Sequence, residues 1–335
     1  MIVFLLSKKL SFYLFTFSPI QIQKIESIIV VHTHELAVQV ANEFRRFAKY
    51  LPNVRVAEFY GGGAKEDDNI ATLLKVRPNV VVGTPGRLLA LIKRKVLDLD
   101  AVRFFVVDEC DILLEKYRGD IQSIFISTPQ AKQVMMLSAT IDEKIRGTCR
   151  SFMKDPKEII INEFRVLSLD YVVQYFDEVD FNSKTRRLTE LLDDIEFNQV
   201  IIFVNQSNNA KKLCRVLNAN NFPAIVACTS MPQSERSEAY RKFKESQARI
   251  LVSTDLMGRG VDFANVNVVI NYDLPTEVDS YLHRIGRAGR FGTKGIGVTL
   301  VASKEDGEQL NKIQDRFSTK IQRYDGKIDP AVYKI

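Results

Sequence analysis

Two adjacent carboxylates, Asp108 and Glu109, close the apolar run Phe104–Val107. At the end of a buried strand such a pair could serve phosphate hydrolysis. Asp108 would hold Mg²⁺ through water, and Glu109 would orient and deprotonate the attacking water. Two acids alone are better read as a solvated strand end. Their context favours chemistry. Ser138-Ala139-Thr140 ends the next apolar run, and open α/β sheets bind ligands at the carboxyl ends of their strands. Thr84-Pro85-Gly86-Arg87 adds a turn, a hydroxyl and a cation at another strand end. Gly61–Gly63 would let a backbone approach a phosphate closely.

The second half of the chain carries a complementary set. Arg284, Arg287 and Arg290 recur every third residue, which predicts that they lie near one face of a helix. Gly286 and Gly289 interrupt that stretch and argue against an ordinary surface helix. The planar arginine fork suits the charge that develops on a triphosphate. Ile250–Phe263 reads as a strand running into Thr254-Asp255, then Gly258-Arg259-Gly260 and Asp262. Gln233 and Arg236 stand at helical spacing, and Asn205 ends a further strand.

Parallel strands must position these groups. Short β-branched runs at Ile28–Val31, Val54–Phe59, Asn79–Val82, Arg103–Val107, Gln133–Leu137 and Glu158–Ile161 alternate with amphipathic stretches. A polar break falls near Asn162–Asp170. The rhythm restarts at Val172–Phe176, Val200–Val204, Ala224–Ala227, Arg249–Val252, Asn267–Asn271 and Gly297–Val301. The expected fold is α/β, with two parallel-sheet lobes covered by helices on both faces. The divisions are an atypical segment at 1–27, a first lobe at 28–162, a linker at 163–170 and a second lobe at 171–335.

Composition bounds the rest. A chain of 335 residues with 46% hydrophobic residues can bury a core without disulfides or metals. The net charge of +6 suits a polyanionic partner. The 4 cysteines form no C-x-x-C pair, as expected of a reduced intracellular chain without a disulfide framework. His32 and His34 have no third ligand cluster near them in sequence, so a metal centre is not expected. The uncharged run after Lys8 and Lys9 is too short to span a bilayer, and no small-residue cleavage site follows it.

Taken together and in this order, the motifs resemble those of the DEAD-box RNA helicases of superfamily two, with two RecA-like lobes. Within them the chain is similar to the DECD-box branch, the nuclear helicase of messenger RNA splicing and export. Cys110 in the acidic motif, His32 before Thr33, and "KYLPNV", "VVVGTPGR", "KQVMMLSAT", "EFNQVIIFV" and "YLHRIGRAGRFGTKG" carry the resemblance, from about Val30 to the end. It implies ATP and Mg²⁺ as cofactors and single-stranded RNA as substrate. It implies the export adaptor and the THO assembly as partners, a monomer, and a nuclear location. Asp108 and Glu109 become the metal-binding and water-activating residues. Ser138 and Thr140 couple hydrolysis to RNA, and Arg287 and Arg290 reach the γ-phosphate as arginine fingers. His283 bridges the lobes, and Asp262 with Gly260 meets the nucleotide. RNA backbone lies on Thr33, Gly62, Thr84, Arg87, Gln233, Arg236 and Thr254.

The chain departs from the family at several points. No stretch matches G-x-x-x-x-G-K-[ST], and the adenine-reading glutamine segment is absent. Each hydrogen bond to a charged group is worth about 1.5–3 kcal/mol, so losing a whole phosphate loop would remove useful ATP affinity. Three accounts fit: a sequence that starts downstream of the loop, a chain that binds RNA or partners without hydrolysis, and a chain that borrows the missing half. The missing strand would leave sheet edges in the first lobe, and Leu10–Phe17 is a candidate to fill that slot. His34 stands where the family has an RNA-facing arginine. Cys228 and Ser230 replace a histidine and a glycine.

Overall fold

The computed structural model describes residues 2–3, 24–62, 66–140, 143–159, 172–258, 260–289 and 293–333. Leu10–Phe17, Gly63, the Asn162–Asp170 break, Arg259 and Arg290 lie outside the described residues. The chain divides into two compact units, Met1–Glu163 and Phe164–Ile335.

Unit one holds a five-stranded parallel sheet. Its strands are β2 (Ser27–Val30), β3 (Val56–Phe59), β4 (Val80–Gly83), β5 (Phe104–Asp108) and β6 (Gln133–Leu137), in the order β3-β4-β2-β5-β6. Alternation along each strand splits the core into two layers. Ile28, Val30, Phe105 and Val107 pack on one face, and Ile29, Val31 and Val106 on the other. Burial on both faces explains why these strands read as largely apolar runs. Each fully buried Val, Ile or Leu contributes about 1.5–3 kcal/mol.

The connecting helices cover both faces. Helix α1 (His34–Phe47) packs Leu36, Val40 and Phe44 into the second layer. Helices α2 (Glu66–Val76), α3 (Pro85–Lys93), α4 (Cys110–Lys116), α5 (Arg118–Ile126) and α6 (Glu143–Ser151) follow in turn. A short parallel pair joins β1 (Ile2–Val3) to β7 (Glu158–Ile159), with Ile2 opposite Glu158 and Val3 opposite Ile159.

Unit two holds a seven-stranded parallel sheet of β8 (Val172–Glu178), β9 (Gln199–Phe203), β10 (Ala224–Ala227), β11 (Ile250–Ser253), β12 (Val266–Asn271), β13 (Gly295–Val301) and β14 (Gln322–Arg323). The order is β10-β11-β9-β12-β13-β8-β14. Val200, Ile202 and Val204 face one core layer, and Ile201 and Phe203 the other. Helices α7 (Lys184–Asp194), α8 (Ser207–Ala219), α9 (Gln233–Lys244), α10 (Val278–Ile285) and α11 (Lys304–Phe317) cover them. Among the described residues no helix is long and apolar enough to cross a membrane.

The arginine spacing is resolved differently from the sequence expectation. Helix α10 stops at Ile285, and Arg287 N and Ala288 N then bond three residues back, to Arg284 O and Ile285 O. Gly289 follows with φ +67°, in the left-handed region. The tightened turn therefore takes Arg287 off the helix face on which Arg284 sits.

Candidate functional site

In unit one the functional groups gather where the parallel strands end. Strand β5 delivers Asp108, and the chain then turns sharply into α4 through Glu109 at φ 57°, ψ 52°. A left-handed non-glycine residue costs about 1–2 kcal/mol, which the turn must offset. The backbone N–H of Glu109 donates to Asp108 Oδ1 at 3.1 Å. Glu109 Oε2 lies 3.4 Å from His32 Nδ1, with side-chain exposures of 13% and 10%. That exceeds the 2.7–2.9 Å typical of a strong charge-assisted bond. His32 thus faces the proposed water-activating acid across a loose contact.

The neighbouring strand end is tied to the same helix. Ser138 Oγ donates to Thr140 O at 2.7 Å and accepts from Thr140 N at 3.1 Å. Thr140 Oγ1 donates to Asp111 Oδ2 at 3.0 Å. Ser138 and Thr140 are both buried. Cys110, also buried, has its sulfur 3.7 Å from Cys149 Sγ. The hydrogen bond with Cys149, then burial, push the Cys110 thiol well above its ordinary range. A thiol kept protonated is a packing group, not a nucleophile.

The loops after β2, β3 and β4 form the other half of this edge. Val31 N donates to Gly83 O and Thr84 N to Phe59 O, both at 3.0 Å, so the three loops are laced together. Thr33 caps α1, its Oγ1 accepting from Leu36 N at 3.2 Å. Thr84 precedes α3 without a side-chain capping bond, and Arg87 is partly exposed in its first turn. Gly62 is exposed at φ +83°. Strand β5, with the acids, lies directly beside β2.

Unit two builds its site around a fully buried arginine. Arg284 donates to Asp255 Oδ1 at 2.5 Å, Asp273 O at 2.7 Å and Asn205 Oδ1 at 2.8 Å. Lys184 Nζ reaches Asp273 Oδ1 at 2.8 Å, and Asn205 N donates to Asp273 Oδ2 at 3.1 Å. The ends of β9, β11 and β12 are thereby fastened together, with buried Thr254 on one of them. Arg287 is buried, donating to His283 O at 3.0 Å and to the Val261 carbonyl. His283 is buried in α10. Gly260 takes φ +68°, and Asp262 is partly exposed. Gln233 and Arg236 bond to each other in the first turn of α9.

Thus unit one brings Asp108, Glu109, Ser138 and Thr140 together, with Thr33, Gly62, Thr84 and Arg87 on adjoining loops. Unit two groups Thr254, Gly260, Asp262, His283 and Arg287. Sequence reasoning assigned no role to Asp111, Lys184, Asp273 or Arg284. Asp111 lay inside a recognised motif. The only hint for Arg284 was its place in the arginine repeat, two residues before Gly286. Among the described residues no cluster of three or more His, Cys, Asp or Glu forms a metal site.

The fold defines a two-lobed RecA-like α/β protein with acids and hydroxyls at the ends of its parallel strands. The DEAD/DEAH box helicase profile matches residues 8–148, and the helicase conserved C-terminal domain profile residues 183–292. The first match extends into the segment set apart at 1–27. ATP-dependent RNA helicase SUB2 of Saccharomyces cerevisiae is 49% identical over 312 residues, covering 91% of this chain and 70% of the relative. SUB2-1 of Vanderwaltozyma polyspora is 49% identical over 316 residues, covering 92% and 71%. The structure of S. cerevisiae Dbp5 bound to RNA and ADP BeF3 superposes with a TM-score of 0.85 at 26% identity, covering 95% of this chain and 82% of that one. A DEAD box protein of Methanococcus jannaschii aligns at 33% identity with a TM-score of 0.52, covering 95% and 85%. This chain belongs to the DEAD-box RNA helicases, in the branch with the DECD motif and Sub2-type relatives.

Proposed function

We propose that this chain is an RNA helicase that remodels RNA or RNA–protein complexes, driven by ATP, in nuclear messenger RNA splicing and export. The observation that carries this is the strand-end elbow. It presents Asp108 and Glu109 side by side, and Asp111 ties them to Ser138-Ala139-Thr140. Asp108 and Glu109 offer hard carboxylate oxygens at a partly exposed edge, a donor type that suits Mg²⁺. Asp108 would hold the metal, which when bound neutralises phosphate charge. Glu109 would orient and deprotonate the attacking water. Arg287 and Arg290 would meet the γ-phosphate, and Asp262 and Gly260 the nucleoside. Phosphate contacts from Thr33, Gly62, Thr84, Arg87, Gln233, Arg236 and Thr254 would grip RNA with little base selectivity. By resemblance to the DECD-box branch, its partners would be an export adaptor and the THO assembly.

A second reading has one observation in its favour. The 335 residues contain no G-x-x-x-x-G-K-[ST] stretch. On this reading the chain is a non-enzymatic RNA-binding or assembly module. ATPase assays of the purified chain with single-stranded RNA separate the two. The helicase reading expects hydrolysis that RNA stimulates and that Glu109→Gln lowers about 10²-fold or more. The module reading expects salt-sensitive RNA binding that is indifferent to ATP and to Glu109→Gln. Absence of RNA binding would sink both.

A further inference from the structure

The unit-one edge carries a feature that phosphate recognition does not require. The His34 imidazole stacks on the Tyr60 ring, with centroids 5.1 Å apart and planes 25° apart. Tyr60 immediately follows β3, and His34 opens α1 directly after the capping Thr33. Both rings are partly exposed. Tyr60 rests against the core layer beneath α1.

The surroundings leave room for a ligand. Apart from its own chain neighbours, no atom lies within 4 Å of where a Cβ would stand on Gly61, the residue after Tyr60. Space is therefore open over the backbone next to Tyr60. Burial, then the nearby Glu58 and Glu35 carboxylates, push the Tyr60 phenol above its usual range. The phenol stays uncharged and offers a flat apolar face beside polar, phosphate-directed loops. Single-stranded nucleic acid presents unstacked bases, each with a π-face, and proteins that grip it commonly combine backbone contacts with aromatic platforms.

We propose that the His34–Tyr60 pair is a shelf on which one unpaired nucleobase of single-stranded RNA stacks. It adds a base contact to a surface that otherwise addresses the sugar-phosphate backbone. The proposal rests on the RNA-binding reading above and deepens it. Stacking is tolerant of base identity, so the shelf distinguishes a base from no base rather than one base from another.

The test titrates the full chain into a labelled oligoadenylate and into the same oligomer with abasic sites, with fluorescence anisotropy as readout. Wild type is expected to prefer the base-bearing oligomer by about tenfold. His34→Ala should erase that preference, His34→Phe should keep it, and His34→Arg should retain affinity without it. Quenching of 2-aminopurine placed in the oligomer reports stacking in the wild type itself, independently of how any variant folds. Equal wild-type affinity for both oligomers, or a preference that survives in a folded His34→Ala, would overturn the shelf and leave RNA binding standing. Failure of wild type to bind either oligomer would overturn both.

Discussion

Thr140 donates its hydroxyl to the Asp111 carboxylate at 3.0 Å, joining the loop after β6 to the helix that begins beside Glu109. This bond makes Ser138-Ala139-Thr140 and the acidic motif one mechanical unit. This charge-assisted contact gives a direct route by which a change at one strand end would reach the other.

The strength of that contact can be isolated with a double-mutant cycle. Thr140→Val and Asp111→Asn should each destabilise unit one, because a hydrogen bond to a charged group contributes about 1.5–3 kcal/mol. The coupling energy between them should be about 1 kcal/mol, measured by urea unfolding. Additive effects would show that the two residues do not act together.

Arg284 should be the most sensitive position of unit two. Its guanidinium is fully buried and has three acceptors on three different strand ends. Arg284→Ala should cost about 3 kcal/mol, because Asp255, Asp273 and Asn205 lose their shared donor. Arg284→Lys should recover only part of this, since one ammonium cannot reproduce the planar fork. Hydrogen exchange should show the loss in the amides of β9, β11 and β12. Unchanged protection there would refute the anchoring role.

Gly83 tests the lacing of the loops after β2, β3 and β4. A Cβ at that position would stand 2.7 Å from both Leu88 Cδ2 and the Phe59 carbonyl oxygen. The leucine can turn, but the carbonyl belongs to the backbone of β3. Gly83→Ala should destabilise unit one by about 1–3 kcal/mol through overpacking. Its melting temperature should fall accordingly, and a neutral variant would contradict the close approach.

Alkaline pH should weaken both units. The Cys110 thiol is raised well above its ordinary value of 9.0, first by the hydrogen bond with Cys149 and then by burial. Above pH 9 the unfolded chain releases that proton and the folded chain keeps it, so stability falls as pH rises. Below pH 9 the contribution is complete. Tyr281 of α10, buried with its hydroxyl on Gln174 Oε1 at 2.8 Å, adds a similar loss in unit two beginning above its ordinary 10.0. Cys110→Ala should flatten the unit-one slope between pH 9 and 10, read by chemical denaturation at fixed temperature.

The parallel strands and the acidic elbow were legible in the residues themselves. A strand buried on both faces must be apolar throughout, as Ile28–Val31 and Val200–Val204 are, and this pattern survives any detail of packing. Hydroxyls and acids directly after such runs, as at Asp108 and Ser138, fall at a strand end because a strand cannot continue past them without burying charge. The partnerships were not legible. Asp111 and Thr140 stand 29 residues apart, and Lys184 and Asp273 stand 89 apart. The arginine repeat pointed to one helical face, yet Gly286 and the tight turn after Ile285 sent Arg284 inward and Arg287 onto backbone carbonyls. Residue type and local period specify which segments form strands and which groups lie at their ends. Which of those groups touch depends on strand order, and strand order is decided only when the whole sheet assembles.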